Sequence, residues 1–305
     1  METFIHEGCM CMQWSVGGST FKALPENGAR LMHWGLKLAN GTMRDIIYWP
    51  EDADYSNLAK VRGGNPLLFP FVARTFDQGV EGYWRFQGKR LPMPRHGFAR
   101  DAKFELIHSD EQGFTSRLAP PTSSFDAYPF KYQFLVRYHF EELSFSVDLS
   151  LENQDEVPIP WCAGHHFYFK LPWHSGLTRE DYTIHIPAKK AFYHGANGAL
   201  EPAKDIAVDE TFSNLAIVDR IHCKLKDNVI VFGPNSGEEP VSVVIGDDKI
   251  PAPWTCLTTW TESDESPFYC VEPWMGPPGS PEHKKGLQWV DPNETKTFSV
   301  TVSLA

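Results

Sequence analysis

The stretch that decides the fold class is Ser144-Phe145-Ser146-Val147-Asp148-Leu149-Ser150-Leu151. Its apolar side chains alternate with polar ones, so in an extended chain they all lie on one face. This period of two is typical of a half-buried strand in an antiparallel sheet. Residues 297–304, Thr-Phe-Ser-Val-Thr-Val-Ser-Leu, repeat the pattern. The two segments therefore predict two strands with one face in a core.

Further strands are indicated elsewhere, and helix signals are scarce. Residues 182–186 and 228–232 read as strands, and residues 133–140 are separated from the deciding stretch by a Glu-Glu pair, which predicts a hairpin. Only residues 54–61 carry enough helix formers for about two turns. Many short strands with frequent Gly and Pro predict an all-β fold, a large antiparallel β-sandwich with few short helices. Neither a linker nor a fixed-period repeat interrupts the sequence, so we expect a single domain over residues 1–305.

Composition and charge narrow the class of partner. The net charge of the 305 residues is -11, which disfavours nucleic acid and anionic membranes because both are polyanions. The sequence shows neither a secretory leader nor an apolar run long enough to span a bilayer, so we expect a cytoplasmic protein. In that compartment cysteines stay reduced, and we expect free buried thiols. The six are Cys9, Cys11, Cys162, Cys223, Cys256 and Cys270.

Four segments interrupt the alternation and concentrate chemically useful side chains. Residues 63–74, Gly-Gly-Asn-Pro-Leu-Leu-Phe-Pro-Phe-Val-Ala-Arg, end on Arg74. Arg74 is either a solvated strand end or a donor of paired hydrogen bonds to substrate hydroxyls. Residues 94–101 place His96 between two arginines at a turn. Neighbouring cations lower the pKa of a histidine, so we expect a neutral ring near pH 7.

The other two segments carry the remaining candidates. Residues 164–172 contain His165 and His166, and because neighbours on a strand point to opposite faces, only one of them can face a given cleft. Residues 268–274 place Glu272 among apolar side chains, where an unpaired carboxylate is costly to bury. Glu272 must therefore turn outward or have a dedicated partner. In a cleft, with a raised pKa, it is a candidate acid or base.

In this order, the four segments resemble the aldose 1-epimerase, or galactose mutarotase-like, family over most of the chain. Residues 63–71 resemble the family pattern Gly-Gly-x-Pro-x-x-Phe-Pro, and residues 96–100 match its specific His-Gly-Phe-Ala-Arg motif. Residues 164–169 resemble Gly-x-His-Pro-Tyr-Phe, with Phe167 in place of the proline. Residues 271–274, Val-Glu-Pro-Trp, resemble the segment that carries the family's catalytic glutamate.

The resemblance implies an isomerase that interconverts the α and β anomers of an aldose by opening and reclosing the ring, without cofactor or metal. It makes Glu272 the base at the C1 hydroxyl, His166 the acid at the ring oxygen, and His96 a second histidine that orients the sugar. The implied substrate-binding residues are Arg74 and Asp209, with Glu210 as the alternative to Asp209. Because sugars have an apolar C–H face, we also expect an aromatic platform, for which Trp274, Tyr168 and Phe212 are candidates.

Three alternatives stay open. The set His96, His166 and Glu272 has the composition of a metal-binding facial triad, although no His-x-His or His-x-Glu pair anchors a metal on one strand. A non-catalytic sugar-binding protein is compatible with the same fold. The third alternative is a hexose-6-phosphate mutarotase of the same superfamily, whose phosphate contacts would be Arg62, Arg74, Arg95 and Arg100. In every catalytic case we expect a small-molecule sugar as partner and a monomer or homodimer.

Overall fold

The computed structural model describes residues 1–122, 124–237 and 240–304, and antiparallel strands dominate it. Its first fourteen strands are β1 (Glu2–His6), β2 (Cys9–Val16), β3 (Ser19–Leu24), β4 (Arg30–Lys37), β5 (Met43–Ile47), β6 (Leu67–Leu68), β7 (Phe76–Asp77), β8 (Val80–Glu81), β9 (Tyr83–Phe86), β10 (Lys89–Pro92), β11 (Phe104–Asp110), β12 (Gly113–Leu118), β13 (Tyr132–Glu141) and β14 (Ser144–Asn153). The others are β15 (Ile159–Trp161), β16 (Gly164–His165), β17 (Phe167–Lys170), β18 (Tyr182–His185), β19 (Ala188–His194), β20 (Leu200–Pro202), β21 (Asp209–Thr211), β22 (Arg220–Leu225), β23 (Val229–Pro234), β24 (Val241–Ile245), β25 (Cys256–Trp260), β26 (Phe268–Trp274), β27 (Gln288–Val290) and β28 (Thr295–Leu304).

Helices are short, as the sequence predicts. The two α-helices are α1 (Ser124–Ala127) and α2 (Ser280–His283). The 3-10 helices are Tyr55–Lys60, Ala99–Asp101, Arg179–Asp181 and Leu215–Ile217. The segment predicted to be helical at residues 54–61 forms the first of these 3-10 helices, and Asp54 caps it by accepting a hydrogen bond from the Ser56 backbone N–H.

Two large sheets contain most of the strands. The larger sheet has thirteen strands in the order β1-β2-β3-β4-β5-β17-β26-β25-β22-β19-β20, with β16 attached to β26 and β6 attached to β16. The second has nine, in the order β11-β12-β13-β14-β28-β24-β23-β18-β21. The pairs β7–β8, β9–β10 and β15–β27 are separate ribbons. The prediction of an all-β antiparallel sandwich is confirmed.

The deciding stretch lies at the centre of the nine-stranded sheet. It forms most of β14, which pairs with β13 on one side and β28 on the other, so that Val147 lies opposite both Tyr138 and Val300. The hairpin predicted from residues 133–140 is formed by β13 and β14. Along β14 buried and half-buried residues alternate, which is the pattern expected of a strand with one face in the core.

Aromatic side chains connect the two large sheets. Phe21 of β3 stacks on Phe140 of β13 with ring centroids 4.5 Å apart, and Phe145 of β14 contacts Phe167 of β17 at 5.8 Å. All four rings are fully buried. Burying one such side chain stabilises a protein by roughly 1.5–3 kcal/mol, so these contacts fix one sheet upon the other.

The cysteines are reduced in the structure. All six are free and buried, as predicted.

In residues 1–122, 124–237 and 240–304 there is no helix with the length and apolar character needed to cross a bilayer.

Candidate active site

A cavity of about 540 Å³ lies over the centre of the thirteen-stranded sheet and brings together six of the predicted side chains. Glu272, His166 and His96, predicted as catalytic, all line it. Of the residues predicted to bind substrate, those at the cavity wall are Arg74, Tyr168 and Trp274.

Strand β26 carries Glu272 into the cavity. It lies between β17 and β25 near the middle of the large sheet, and all seven of its residues are buried. Because side chains alternate along a strand, Cys270, Glu272 and Trp274 share one face. Thr258 of β25 lies opposite Glu272 and also lines the cavity. The carboxylate is thus held by a strand that is buried on both faces, which explains the apolar residues around it in the sequence.

The two adjacent histidines point in opposite directions. His165 is fully buried in the core, where its ring stacks on Phe167 with centroids 5.1 Å apart. His166 lines the cavity and stacks on Tyr168 at 4.8 Å. The structure therefore places His166, the histidine indicated by the motif, at the site.

Glu272 and His166 form the central pair. The Nε2 atom of His166 lies 3.4 Å from Oε2 of Glu272, and the Glu272 side chain is only 2% exposed. Burial, with a contribution from Asp219, raises the pKa of Glu272 well above its ordinary value. Burial, with nearby arginines, lowers the pKa of His166 to about 3. Both shifts favour the uncharged forms, a carboxylic acid and a neutral ring, and both groups are within reach of the same small molecule.

His96 is fixed as a neutral hydrogen-bond donor toward the cavity. The backbone N–H of Ala73 donates to its Nδ1 at 3.1 Å, so the ring proton is on Nε2. Burial first, then the neighbouring His166 and arginines, keep the pKa of His96 well below its ordinary value. The ring lies 5.6 Å from that of His166.

The turn that presents His96 depends on the following glycine. The backbone of His96 is left-handed, with φ 66°, and Gly97 has φ 69°. A Cβ on Gly97 would lie 1.9 Å from the carbonyl oxygen of Phe69. Any side chain there would push the turn away from residues 69–70, which explains the glycine of the His-Gly-Phe-Ala-Arg motif.

Two fully buried polar residues, Asn65 and Arg30, fix the backbone next to the cavity. Neither was predicted from the sequence. The Asn65 side chain accepts from the His166 backbone N–H at 3.1 Å and donates to His165 Nδ1 at 3.1 Å. Arg30 donates to backbone carbonyl oxygens on both sides of Arg62, those of Val61 at 2.7 Å and of Gly63 at 3.1 Å. These bonds fix the segment that carries Arg62 and connect it to His166.

Four arginines line the cavity: Arg62, Arg74, Arg95 and Arg100. Arg62 lies 3.5 Å from Glu262, and Arg74 lies 3.3 Å from Glu81. Arg74 also donates to the carbonyl oxygen of His194 at 3.0 Å, so only part of its donor capacity is available to a ligand. The four arginines outnumber the two acids that line the cavity, Asp219 and Glu272, although the chain as a whole is acidic.

The prediction for Asp209 needs correction. Asp209 is on β21, at the edge of the nine-stranded sheet, where its exposed carboxylate pairs with His185 at 2.7 Å. The alternative, Glu210, pairs with Arg220 at 3.1 Å. Neither lines the cavity, and Asp219 does. Asp219 precedes β22 with a left-handed φ of 58°, and no motif in the sequence marks it.

Aromatic rings form one wall. Trp274 is 4% exposed and donates from its indole N–H to the carbonyl oxygen of His165 at 3.2 Å. Tyr168 is 2% exposed and contacts Trp260, which also lines the cavity. Sequence reasoning did not single out Trp260 among the ten tryptophans. Together the rings offer an apolar surface of the kind that packs against the C–H face of a sugar.

One group of potential metal ligands occurs among the described residues: His166, Cys270 and Glu272, with ligand atoms all within 4.8 Å of one another. It differs from the predicted facial triad, because Cys270 takes the place of His96.

Comparisons with known proteins agree with this architecture. The sequence profile of the family described as aldose 1-epimerase matches residues 17–292. Chromosomal protein LacX of Lactococcus lactis subsp. lactis is 26% identical over 250 residues, which cover 75% of this chain and 77% of LacX.

Solved structures share the fold. A galactose mutarotase-like protein from Clostridium acetobutylicum superposes with a TM-score of 0.81 at 17% identity, covering 100% of this chain and 98% of its own. A galactose mutarotase related enzyme from Lactobacillus acidophilus gives 0.79 at 20% identity and covers 97% of each chain. At these identities the likeness concerns the fold alone.

Proposed function

Because the chain belongs to the aldose 1-epimerase family, we propose that it is itself an aldose 1-epimerase, an isomerase that interconverts the α and β anomers of an aldose. One observation carries the proposal: a buried carboxylate, Glu272, lies 3.4 Å from the ring of His166 on the wall of a sugar-sized cavity. Such a pair can hold and move a proton at two neighbouring atoms of one substrate.

The reaction is a ring opening followed by reclosure. Glu272 removes the proton of the C1 hydroxyl while His166 protonates the ring oxygen. The bond between C1 and the ring oxygen breaks, and C1 becomes an aldehyde. Rotation about C1–C2 presents the other face of the aldehyde. His166 then takes the proton from the attacking hydroxyl, and Glu272 returns its proton to the new C1 oxygen. Only protons move, so the proposed reaction requires neither a redox cofactor nor a metal.

The reactive form places the single proton of the pair on His166. In the empty cavity the raised pKa of Glu272 and the lowered pKa of His166 favour the proton on the carboxyl. Transfer across the 3.4 Å contact converts one form into the other. A bound sugar favours the reactive form, because its C1 hydroxyl donates to the carboxylate and stabilises the charged state.

The remaining cavity residues bind and orient the sugar. The Nε2–H of His96 points to the ring oxygen or C1, and Arg74 donates to a hydroxyl. Asp219, in place of Asp209, accepts hydroxyl protons, and Tyr168 and Trp274 pack against the apolar face. Every one of these residues lines the cavity.

A second candidate function is favoured by the cavity's charge. Four arginines line the cavity, and a neutral aldose carries no charge that would balance theirs. A sugar phosphate would use them as charge-assisted donors. The same acid–base pair would then interconvert the anomers of a hexose 6-phosphate.

The test is anomer exchange measured by NMR on freshly dissolved α-glucose and α-galactose and on glucose 6-phosphate. The wild type, Glu272→Gln and the exposed control Asp209→Asn are compared. We expect wild type and Asp209→Asn to accelerate anomer exchange. We expect Glu272→Gln not to accelerate it. Acceleration only with the phosphate would favour the second candidate. Binding of these sugars without acceleration would leave a non-catalytic sugar-binding protein.

A further inference from the structure

Cys270 is a neighbour of the acid–base pair that the proposed reaction does not use. It is fully buried on the same face of β26 as Glu272, two residues away. Its sulfur, the His166 ring and a Glu272 carboxylate oxygen all lie within 4.8 Å of one another.

The spacing of two ligand atoms matches the coordination geometry of zinc. Ligands bound at about 2.0–2.1 Å with a tetrahedral angle lie about 3.4 Å apart. The distance between His166 Nε2 and Glu272 Oε2 is 3.4 Å. The Cys270 sulfur lies within 4.8 Å of both groups, and sulfur bonds to zinc are longer, near 2.3 Å. A thiolate, an imidazole and a carboxylate together are a donor set that selects zinc over magnesium or calcium.

One of these atoms, the Oε2 of Glu272, lacks a hydrogen-bond partner among the described residues although the residue is only 2% exposed. A buried acceptor without a hydrogen bond costs free energy, and a ligand that satisfies it recovers that cost. His166 borders the open cavity. A fourth coordination position therefore faces the space where the sugar binds.

The arginines of the cavity do not prevent this binding. A dication with one thiolate and one carboxylate has a summed charge of zero. Arg62 and Arg74 already face the carboxylates of Glu262 and Glu81 at 3.5 and 3.3 Å. The loaded site therefore adds no net positive charge beside them.

We propose that His166, Cys270 and Glu272 form a binding site for Zn²⁺, and that the bound ion inhibits the enzyme. Coordination releases two protons to solvent, the thiol proton of Cys270 and the proton held by the Glu272–His166 pair, and occupies the lone pairs of Glu272 and His166. Neither group can then exchange a proton with a sugar. The inhibition rests on the proposed function, and the metal site itself does not.

The site is tested first without any measurement of activity. Co²⁺ is added to the whole protein, because thiolate ligation of cobalt gives a near-ultraviolet charge-transfer band, and Zn²⁺ is then added to displace it. We expect the band in wild type and in the matched control Cys223→Ala, whose cysteine is also fully buried. We expect Cys270→Ala to lose it, and to bind Zn²⁺ at least about 100-fold more weakly, the upper range for removing even a supporting neighbour of a ligand.

Exposed histidine–carboxylate pairs also bind cobalt, but without a thiolate band. His108–Asp110 and His185–Asp209 are such pairs. No thiolate band in wild type, or a band that survives in Cys270→Ala, would overturn the proposal. Thermal melting of each variant shows that it is folded, and Cys270→Ser serves as a second variant if the alanine variant is not.

Activity then separates the two proposals. We expect Zn²⁺ to abolish anomer exchange in wild type, a chelator to restore it, and Cys270→Ala to retain exchange at Zn²⁺ concentrations that silence wild type. If zinc binds through Cys270 and exchange continues, the site is real and the inhibition is wrong. If no sugar is exchanged without metal, the proposed function fails while the cobalt band still decides the site.

Discussion

His165 and His166 are neighbours in sequence, and comparing their surroundings separates a buried histidine from a candidate catalytic one. Burial lowers the pKa of each to about 3. His165 contacts Asn65 and aromatic rings, and among the described residues it forms no ion pair with a carboxylate. His166 faces a cavity and lies 3.4 Å from Glu272. A perturbed pKa is thus common to both, and only the carboxylate and the access to substrate distinguish them.

The largest effect is expected from removing the carboxylate. Glu272→Gln keeps the shape of the side chain and cannot accept the C1 proton. We expect kcat for anomer exchange to fall by about 10²–10⁴-fold. NMR line-shape or exchange measurements at saturating sugar check this. A kcat within a few-fold of wild type would show that another group is the base.

The next effect separates the two histidines directly. His166→Gln removes the acid, so we expect kcat to fall by about 10²-fold or more. His165→Gln should leave kcat within about threefold of wild type, because the side chain does not reach the cavity. Both variants are compared at equal folded fraction. Equal losses of kcat in the two variants would contradict the distinction between the buried His165 and the cavity-facing His166.

Acid titration should reveal the contribution of His165 to the free energy of unfolding. Its pKa is lowered in the folded state from 6.5 to about 3, so its contribution to stability is present above pH 6.5 and is lost as the pH falls toward 3. Between pH 6.5 and 4 this amounts to roughly 3 kcal/mol in the free energy of unfolding. Urea unfolding across this range should show a shallower pH dependence for His165→Gln than for wild type. Parallel curves would contradict the assignment.

The smallest effect concerns the two aspartates. Asp219→Asn should raise KM about tenfold, the cost of weakening one charged hydrogen bond to a hydroxyl. Asp209→Asn should change neither KM nor kcat, since Asp209 is exposed and pairs with His185 outside the cavity. Steady-state anomer exchange at several sugar concentrations measures both. A KM effect at Asp209 alone would restore the original prediction.

The sequence predicts the nine-stranded sheet well because β14 and β28 bury one face and leave a clear alternation. It predicts little of the large sheet's centre, because β26 is buried on both faces and has no alternation to read. There the family motifs supply Glu272 and His166. The contacts of Asn65 and Arg30 depend on residues far apart in the chain, so local patterns cannot reveal them.

The choice between Asp209 and Asp219 could not be predicted from the sequence for the same reason: it depends on contacts between distant parts of the chain. Asp209 is the first residue of β21 and Asp219 directly precedes β22, and the residues around them do not indicate which of the two strands meets the cavity. The order of strands decides it: β22 is next to β25 in the large sheet, whereas β21 ends the smaller one. Cys270 was likewise predicted as a buried thiol, and only the fold places it beside the acid–base pair.

Whether Glu272 and His166 act as one catalytic unit is best tested by a double-mutant cycle on kcat. Anomer exchange is measured for wild type, Glu272→Gln, His166→Gln and the double variant. Because groups that act together are strongly non-additive, we expect the double variant to be little slower than the slower single variant. Losses of kcat that multiply would show that the two residues act independently and would rule out a shared acid–base unit.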